Sequence, residues 1–275
     1  MKKLIAFFFV ALLALGLVAC KEEAEPHYEY GYGISYGLVH GHYVGVAEIV
    51  VDKDDKVVSA KFDEYYLPYN TAQVTLTDEQ KAALPADVVA VVTTRTTDNV
   101  RTVSTSYYSK YVSVAGTIYT ATVSGDVPTV ENTAPSQTII WGATGIANIE
   151  TWVETEANAK AYVDAVKAGT VFNCNATGVK SAYPLANASA KLGPTKSATG
   201  YWTNPASYPL GWGGNMKAIV DAIIGTTMNA TEAQLVKDGT WKIGDITTGA
   251  TLSDFVDYYL LAQQAYNNAL AGKVE

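Results

Sequence analysis

The 275-residue sequence is short of cysteine, histidine and charge. It has two cysteines, Cys20 and Cys174, and three histidines. It contains no Ser-His-Asp arrangement, no phosphate-cradling glycine loop and no Cys-x-x-Cys pair, so a conventional hydrolase has no support. Charged residues make up 17% of the chain, and basic ones are the scarcer kind, 19 against 27 acidic, for a formal net charge of −8. That deficit argues against nucleic acid, whose binding depends on neutralising phosphates, and against charge-driven adhesion to anionic lipid. Long apolar runs are also missing. Leu4 to Leu17 falls short of the roughly 20 residues a membrane-spanning helix needs.

What the front end does contain is ordered. Lys2 and Lys3 precede the apolar run, Leu17-Val18-Ala19-Cys20 closes it, and Lys21, Glu22, Glu23 and Glu25 follow at once. This order reads as a removable export signal. Leu-Val-Ala-Cys resembles the lipobox of bacterial lipoproteins, in which the cysteine thiol is diacylglycerylated and becomes the new N-terminus. The resemblance implies a signal peptide over 1–19, lipid on Cys20, a tether over 20–30 and a folded part on the extracytoplasmic face of the cell membrane. Each acyl chain contributes about 0.8 kcal/mol per buried methylene, so two or more anchor stably to the bilayer. Loss of Lys2 and Lys3 makes the mature chain still more acidic. Cys174 is then left alone, which excludes an internal disulfide, and it reads as a half-buried small residue.

Tyrosine is abundant at 19, with five Trp and six Phe. Aromatics with few charges suit half-buried strands and flat ligand-stacking surfaces alike. The pattern predicts an α+β fold, antiparallel strands with packed helices. Val44–Val51 and Val57–Tyr66 alternate around an Asp52–Asp55 turn, a β-hairpin pattern. Thr77 to Gln80 forms a capping-box signature for a helix over 78–84. Strands are expected near 88–94, 101–107 and 112–123, then a Thr/Pro-rich link over 126–136. Helices are expected over 147–168, 215–224 and 230–237, with a loop-heavy stretch over 178–213. Leu252, Phe255, Val256, Tyr259, Leu260, Tyr266 and Leu270 carry a helical rhythm that ends at Gly272.

One segment carries chemistry: Asp245-Ile246-Thr247-Thr248-Gly249-Ala250-Thr251-Leu252-Ser253. A hydroxyl residue before an apolar helix is an ordinary cap, and Thr251-Leu252-Ser253-Asp254 also fits a capping box. The same place suits a phosphate, because a helix N-terminus offers unpaired N–H groups and Gly249-Ala250 lets the backbone come close.

Asp245-x-x-Thr248-Gly249-Ala250-Thr251 resembles the flavinylation motif of FMN-binding domains, found in sodium-pumping quinone reductases and in surface flavoproteins of extracellular electron transfer. In that family an FMN transferase uses FAD to join FMN, through its phosphate, to the last threonine. The resemblance implies that Asp245 is the motif's acid, Thr248 its first hydroxyl residue, Gly249-Ala250 its small pair and Thr251 the acceptor. Ser253 completes the candidate cofactor-binding set. Gly41-x-Tyr43-x-Gly45, Ala47 to Val51 and Val57-Val58-x-Ala60-x-Phe62-Asp63-Glu64 are similar to the same domain's opening hairpin. Hairpin and motif stand at opposite ends of the chain. That leaves one domain with a large insertion, or two in tandem, 31–170 without an attachment site and 178–275 with one. Thr144 follows Gly142-Ala143, but Trp141 and Thr138 replace the hydroxyl residue and the acid, so no FMN is expected there.

The implied function is an electron carrier rather than an enzyme with its own substrate or catalytic residues. Its implied partners are the transferase, a membrane-bound quinol- or NADH-linked dehydrogenase, and a soluble or extracellular acceptor. The rival reading is a surface lipoprotein that binds a small solute on a Tyr/Trp-rich surface, with Tyr201-Trp202 and Tyr208 to Trp212 as its aromatic loop. His40 and His42 would share one face of a strand, but with no third ligand nearby a surface pair is the better reading than a metal site.

Overall fold

The computed structural model describes residues 30–97, 99–131, 136–200, 206 and 208–273. The leader, Cys20 and the tether up to residue 29 lie outside them, as do Tyr201 and Trp202. The fold is α+β, with antiparallel strands and helices packed on them.

Strands β1 (Gly31–Val39), β2 (Tyr43–Val51) and β3 (Val57–Tyr66) form an antiparallel meander. The β2–β3 turn is closed by Asp52, whose carboxylate accepts the backbone N–H groups of Asp54 and Lys56, both at 2.9 Å. His40 and His42 occupy the β1–β2 turn, not one strand face, so the expected histidine pair does not form. His42 Nδ1 meets Glu150 at 2.6 Å, and His40 turns the other way.

A short helix α1 (Pro68–Thr71) follows, then α2 (Asp78–Ala82), whose Thr77/Gln80 capping box is formed as the sequence indicates. Strands β4 (Val88–Thr97) and β5 (Val100–Ser109) make a two-stranded ribbon. The single strand expected over 112–123 is instead a hairpin, β6 (Tyr111–Val114) and β7 (Thr117–Ser124). Ala115 and Gly116 turn it with φ of 49° and 85°, the positive values a two-residue hairpin turn requires. Together with β8 (Thr138–Gly142) and β9 (Val171–Cys174), they form a sheet in the order β8-β7-β6-β9.

The helix expected over 147–168 is two pieces, α3 (Ile149–Trp152) and α4 (Glu156–Lys167). Asn148 and Thr155 each cap a separate start, so the local signals for two N-termini override one continuous apolar stripe. Next come α5 (Lys196–Thr199) and α6 (Gly211–Ile223). The helix expected over 230–237 is a 3₁₀ turn, Glu232–Gln234, leading into β10 (Leu235–Asp238). Strands β11 (Thr240–Ile243) and β12 (Ile246–Thr247) complete a small meander before α7 (Phe255–Ala271).

Strand β2 is buried on both faces, and its alternation divides the interior. Tyr43, Ala47, Ile49 and Val51 face a core built with α6 and α7, through Met216, Ile219, Phe255, Tyr259 and Ala262. Val44 and Val46 face a second core with Val112, Tyr119, Trp141, Tyr162 and Val163. The opening sheet therefore belongs to both cores and packs with residues on either side of 170–178. Helix α7 lies close on β1 because both surfaces are small. A Cβ on Gly33 would stand 2.0 Å from the Ala265 carbonyl oxygen and 2.3 Å from the Ala269 nitrogen.

Candidate functional site

The segment 248–254 leaves the β10-β11-β12 meander and delivers the chain to α7. Thr248 is buried and acts as a staple. Its hydroxyl donates to the Trp241 carbonyl at 2.9 Å and accepts the Ala250 N–H at 3.0 Å. Trp241 closes the same turn from the other side. Its backbone N–H donates to the Ala250 carbonyl at 2.9 Å, and its indole N–H to the Leu252 carbonyl at 2.6 Å. Gly249 takes a φ of 79°, where a side chain would be strained, and Ala250 is fully buried. Three positions of the motif, Thr248, Gly249 and Ala250, thus shape the backbone.

Thr251 is where that backbone surfaces. It is half-buried, and its N–H donates to Asn215 Oδ1 of α6 at 2.7 Å, with the Leu252 N–H on the same oxygen at 3.2 Å. The capping box expected from Thr251 to Asp254 does not form, because α7 begins only at Phe255 and Thr251 lies before its first turn. Its hydroxyl donates to Asn215 Oδ1 at 3.5 Å, and the residue lines a cavity of about 400 Å³ shared with His40, Lys196, Tyr208, Trp212 and Lys237. Ser253 lines it too, donating to Asp254 at 2.9 Å, and Lys237 Nζ donates to the Thr251 carbonyl at 3.0 Å. Asp245 stands apart. It is exposed in the β11–β12 turn and lines a different depression, beside Ile223 and Tyr259.

Comparison with protein-family models, with curated proteins and with solved structures found no match.

Behind the cavity lies a cluster that motif reasoning missed. Glu64 of β3 is wholly buried, and its Oε1 accepts from the Trp212 indole N–H and the Tyr258 hydroxyl. Its Oε2 is 2.6 Å from Lys196 Nζ and 3.3 Å from His40 Nε2. Lys196, itself buried, stands 3.8 Å over the centre of the Tyr43 ring. Burial is the strongest single influence on Glu64 and opposes its ionisation, yet His40 and Lys196 together hold its carboxyl below the ordinary value. Burial pulls the Lys196 ammonium down, and Glu64 offsets part of that. The Tyr258 hydroxyl is pushed far up by burial and then by the Glu64 charge, so it stays protonated and donates.

One signal for Glu64 was present in the sequence. Period two along β3 places it on the face of Ala60, Phe62 and Tyr66, where a carboxylate is out of place. Lys196 and Asn215 carried no such mark.

The residues around Thr251 fit FMN. Thr251, free of any capping duty, lines a cavity with half-buried Tyr208 and exposed Lys237, and with the buried side chains of Trp212 and Lys196 behind them. Lys237, the exposed lysine of the lining, would face an anionic phosphate, and Tyr208 would flank the isoalloxazine.

Proposed function

We propose that this chain is a membrane-anchored, extracytoplasmic flavoprotein that carries electrons on FMN joined through its phosphate to Thr251. The observation that supports this most directly is the position of Thr251. The residue that resembles the family's acceptor lines a cavity of about 400 Å³, on a turn held by Asn215 and Trp241.

Attachment uses FAD and a transferase. Thr251 Oγ1 bonds to the phosphorus of the FMN half, the pyrophosphate P–O bond breaks, AMP leaves, and the hydroxyl proton passes to the transferase. Bound FMN supplies one- and two-electron redox chemistry. The chain supplies attachment, a wall of aromatic rings and the surrounding charge. An ester tether also suits an extracytoplasmic position, where a dissociable cofactor is lost by diffusion. A membrane-bound quinol- or NADH-linked dehydrogenase would deliver electrons, and a soluble or extracellular acceptor would remove them.

The test is the intact mass of protein co-expressed with an FMN transferase. The expected result is one FMN adduct on the wild type and on Thr251→Ser, and none on Thr251→Ala. An unmodified wild type, or an adduct that survives Thr251→Ala, overturns the reading.

A second reading, capture of a small solute by a Tyr/Trp-rich surface, draws support from a separate cavity. It measures about 430 Å³ and is lined by Tyr66, Tyr162, Phe172 and Tyr183. That reading predicts no adduct and saturable quenching of tyrosine fluorescence by the solute.

A further inference from the structure

Lys196 lines the Thr251 cavity and Glu64 stands behind it, an ammonium and a carboxylate both withdrawn from water. Such a pair is a poor stabiliser, since removing two charges from water costs about as much as their attraction returns. The third member gives the pair a use. His40 Nε2 lies 3.0 Å from Lys196 Nζ and 3.3 Å from Glu64 Oε2. These neighbours demand opposite protonation of the same nitrogen. Lys196 has only hydrogens to give and bonds a bare Nε2. Ionised Glu64 only accepts and bonds a protonated one. The imidazole thus has two hydrogen-bonded arrangements, and with Nδ1 keeping its hydrogen in both they differ by one proton.

His40 is also the member within reach of solvent. Its side chain is 25% exposed, against none for Glu64 and 2% for Lys196, and it lines the cavity itself. The other groups facing it do not duplicate this role. Tyr43 and Tyr258 approach as rings, at 4.6 and 6.4 Å between centroids. Asp257 accepts the His40 backbone N–H at 3.3 Å. Asp254 and Lys237 line the same cavity.

We propose that His40 takes up a proton when an electron enters the cavity, with Glu64 and Lys196 as the pair that positions it. The inference rests on the flavin reading. An electron arriving on a ring in this site adds negative charge beside the buried Glu64–Lys196 pair, and a proton bound nearby compensates it. Lys196 cannot respond, because Glu64 already matches its charge. His40 can. One electron from the upstream donor and one proton from solvent, bound at Nε2, leave the cavity's net charge unchanged. Nε2 exchanges the hydrogen bond it accepts from Lys196 for one it donates to Glu64, and no other bond is made or broken.

The test is a potentiometric titration of the flavinylated chain, with dithionite as reductant, at several pH values from 5 to 8, where imidazoles ordinarily titrate. Wild type is compared with His40→Gln and with the double variant Glu64→Gln/Lys196→Met, which removes both buried charges together and so spares the fold. Intact mass establishes the adduct in each. The expected result is a midpoint potential that falls more steeply with pH in the wild type. Both variants should retain only the proton uptake of the flavin itself. Equal steepness in all three, with the adduct present, overturns this inference and leaves the flavin reading standing. A wild type without adduct overturns both. In the oxidised wild type at pH 8, nitrogen-15 shifts should show a bare His40 Nε2, and a protonated one there also overturns the proposal.

Discussion

Asn215 and Thr251 are joined across thirty-six residues by a 2.7 Å hydrogen bond from the Thr251 backbone N–H to the Asn215 side-chain oxygen. The same amide donates to the Gly211 carbonyl at 2.7 Å, so one wholly buried side chain ties the start of α6 to the turn that presents the candidate attachment hydroxyl. Asn215→Ala leaves the Thr251 and Leu252 N–H groups without their acceptor. The expected cost is about 1–3 kcal/mol, read as a lower urea midpoint. The yield of FMN adduct should fall with it, since a disordered turn is a poorer substrate for the transferase. An unchanged midpoint would show that this amide does not hold the turn.

The Glu64–Lys196 pair predicts a non-additive mutant series. Glu64→Gln or Lys196→Met alone strands a buried charge, at roughly 3–5 kcal/mol. The double variant should recover most of that loss, because nothing charged is left unpaired. Equilibrium urea unfolding of all four proteins measures the coupling.

Acid should act through the same carboxylate. Its folded-state pKa lies below the ordinary 4.5, so the unfolded chain binds the proton more readily. The stabilisation is complete above 4.5 and is lost as pH falls through and below that value. Unfolding at stepped pH should show an acid limb that Glu64→Gln makes shallower.

Gly33→Ala probes the contact between β1 and α7. The added carbon would meet two backbone atoms, the Ala265 oxygen and the Ala269 nitrogen, and neither can rotate away. Helix and strand must separate, at a cost of roughly 1–3 kcal/mol or more. Gly41→Ala serves as a comparison of backbone strain alone, because open space surrounds that position at a φ of 82°. A drop in melting temperature no larger for Gly33→Ala than for Gly41→Ala would contradict the close approach.

Cys20→Ser addresses the proposed anchor. The expected outcome is a move of the protein from the membrane fraction to the soluble extracytoplasmic fraction, with flavin attachment unaltered. Retention in the membrane would point to another means of attachment.

The hairpin of β2 and β3 was legible because period-two alternation and an acidic turn agree there. The capping box of α2 and the stripe of α7 were legible for the same kind of reason, since local chemistry and long-range packing ask for the same thing. The failures fall where two signals compete. Ala115-Gly116 was hidden inside a run of Val, Thr and Tyr that reads as one strand. The apolar stripe over 147–168 concealed two caps, Asn148 and Thr155. Short strands such as β8 and β9 have too few residues to show a period. At the site, the motif pointed to Thr251, whereas Asn215, Lys196 and His40 converge on it from three other parts of the chain. Only packing brings them together, and residue spacing does not record it.

The covering of β1 by α7 has a consequence for how this molecule is made. The Ser35 hydroxyl bonds the Leu261 carbonyl at 2.6 Å across 226 residues, and much of one side of the first sheet has no cover until that helix docks. Such distant pairing slows folding, since a large loop must close before the contact rewards it. A growing chain therefore holds an unfinished, sticky sheet while the 226 residues that follow Ser35, up to Leu261, are made. Its last helix acts as the latch, and a chaperone that shields the bare strands until then would raise the yield of native protein.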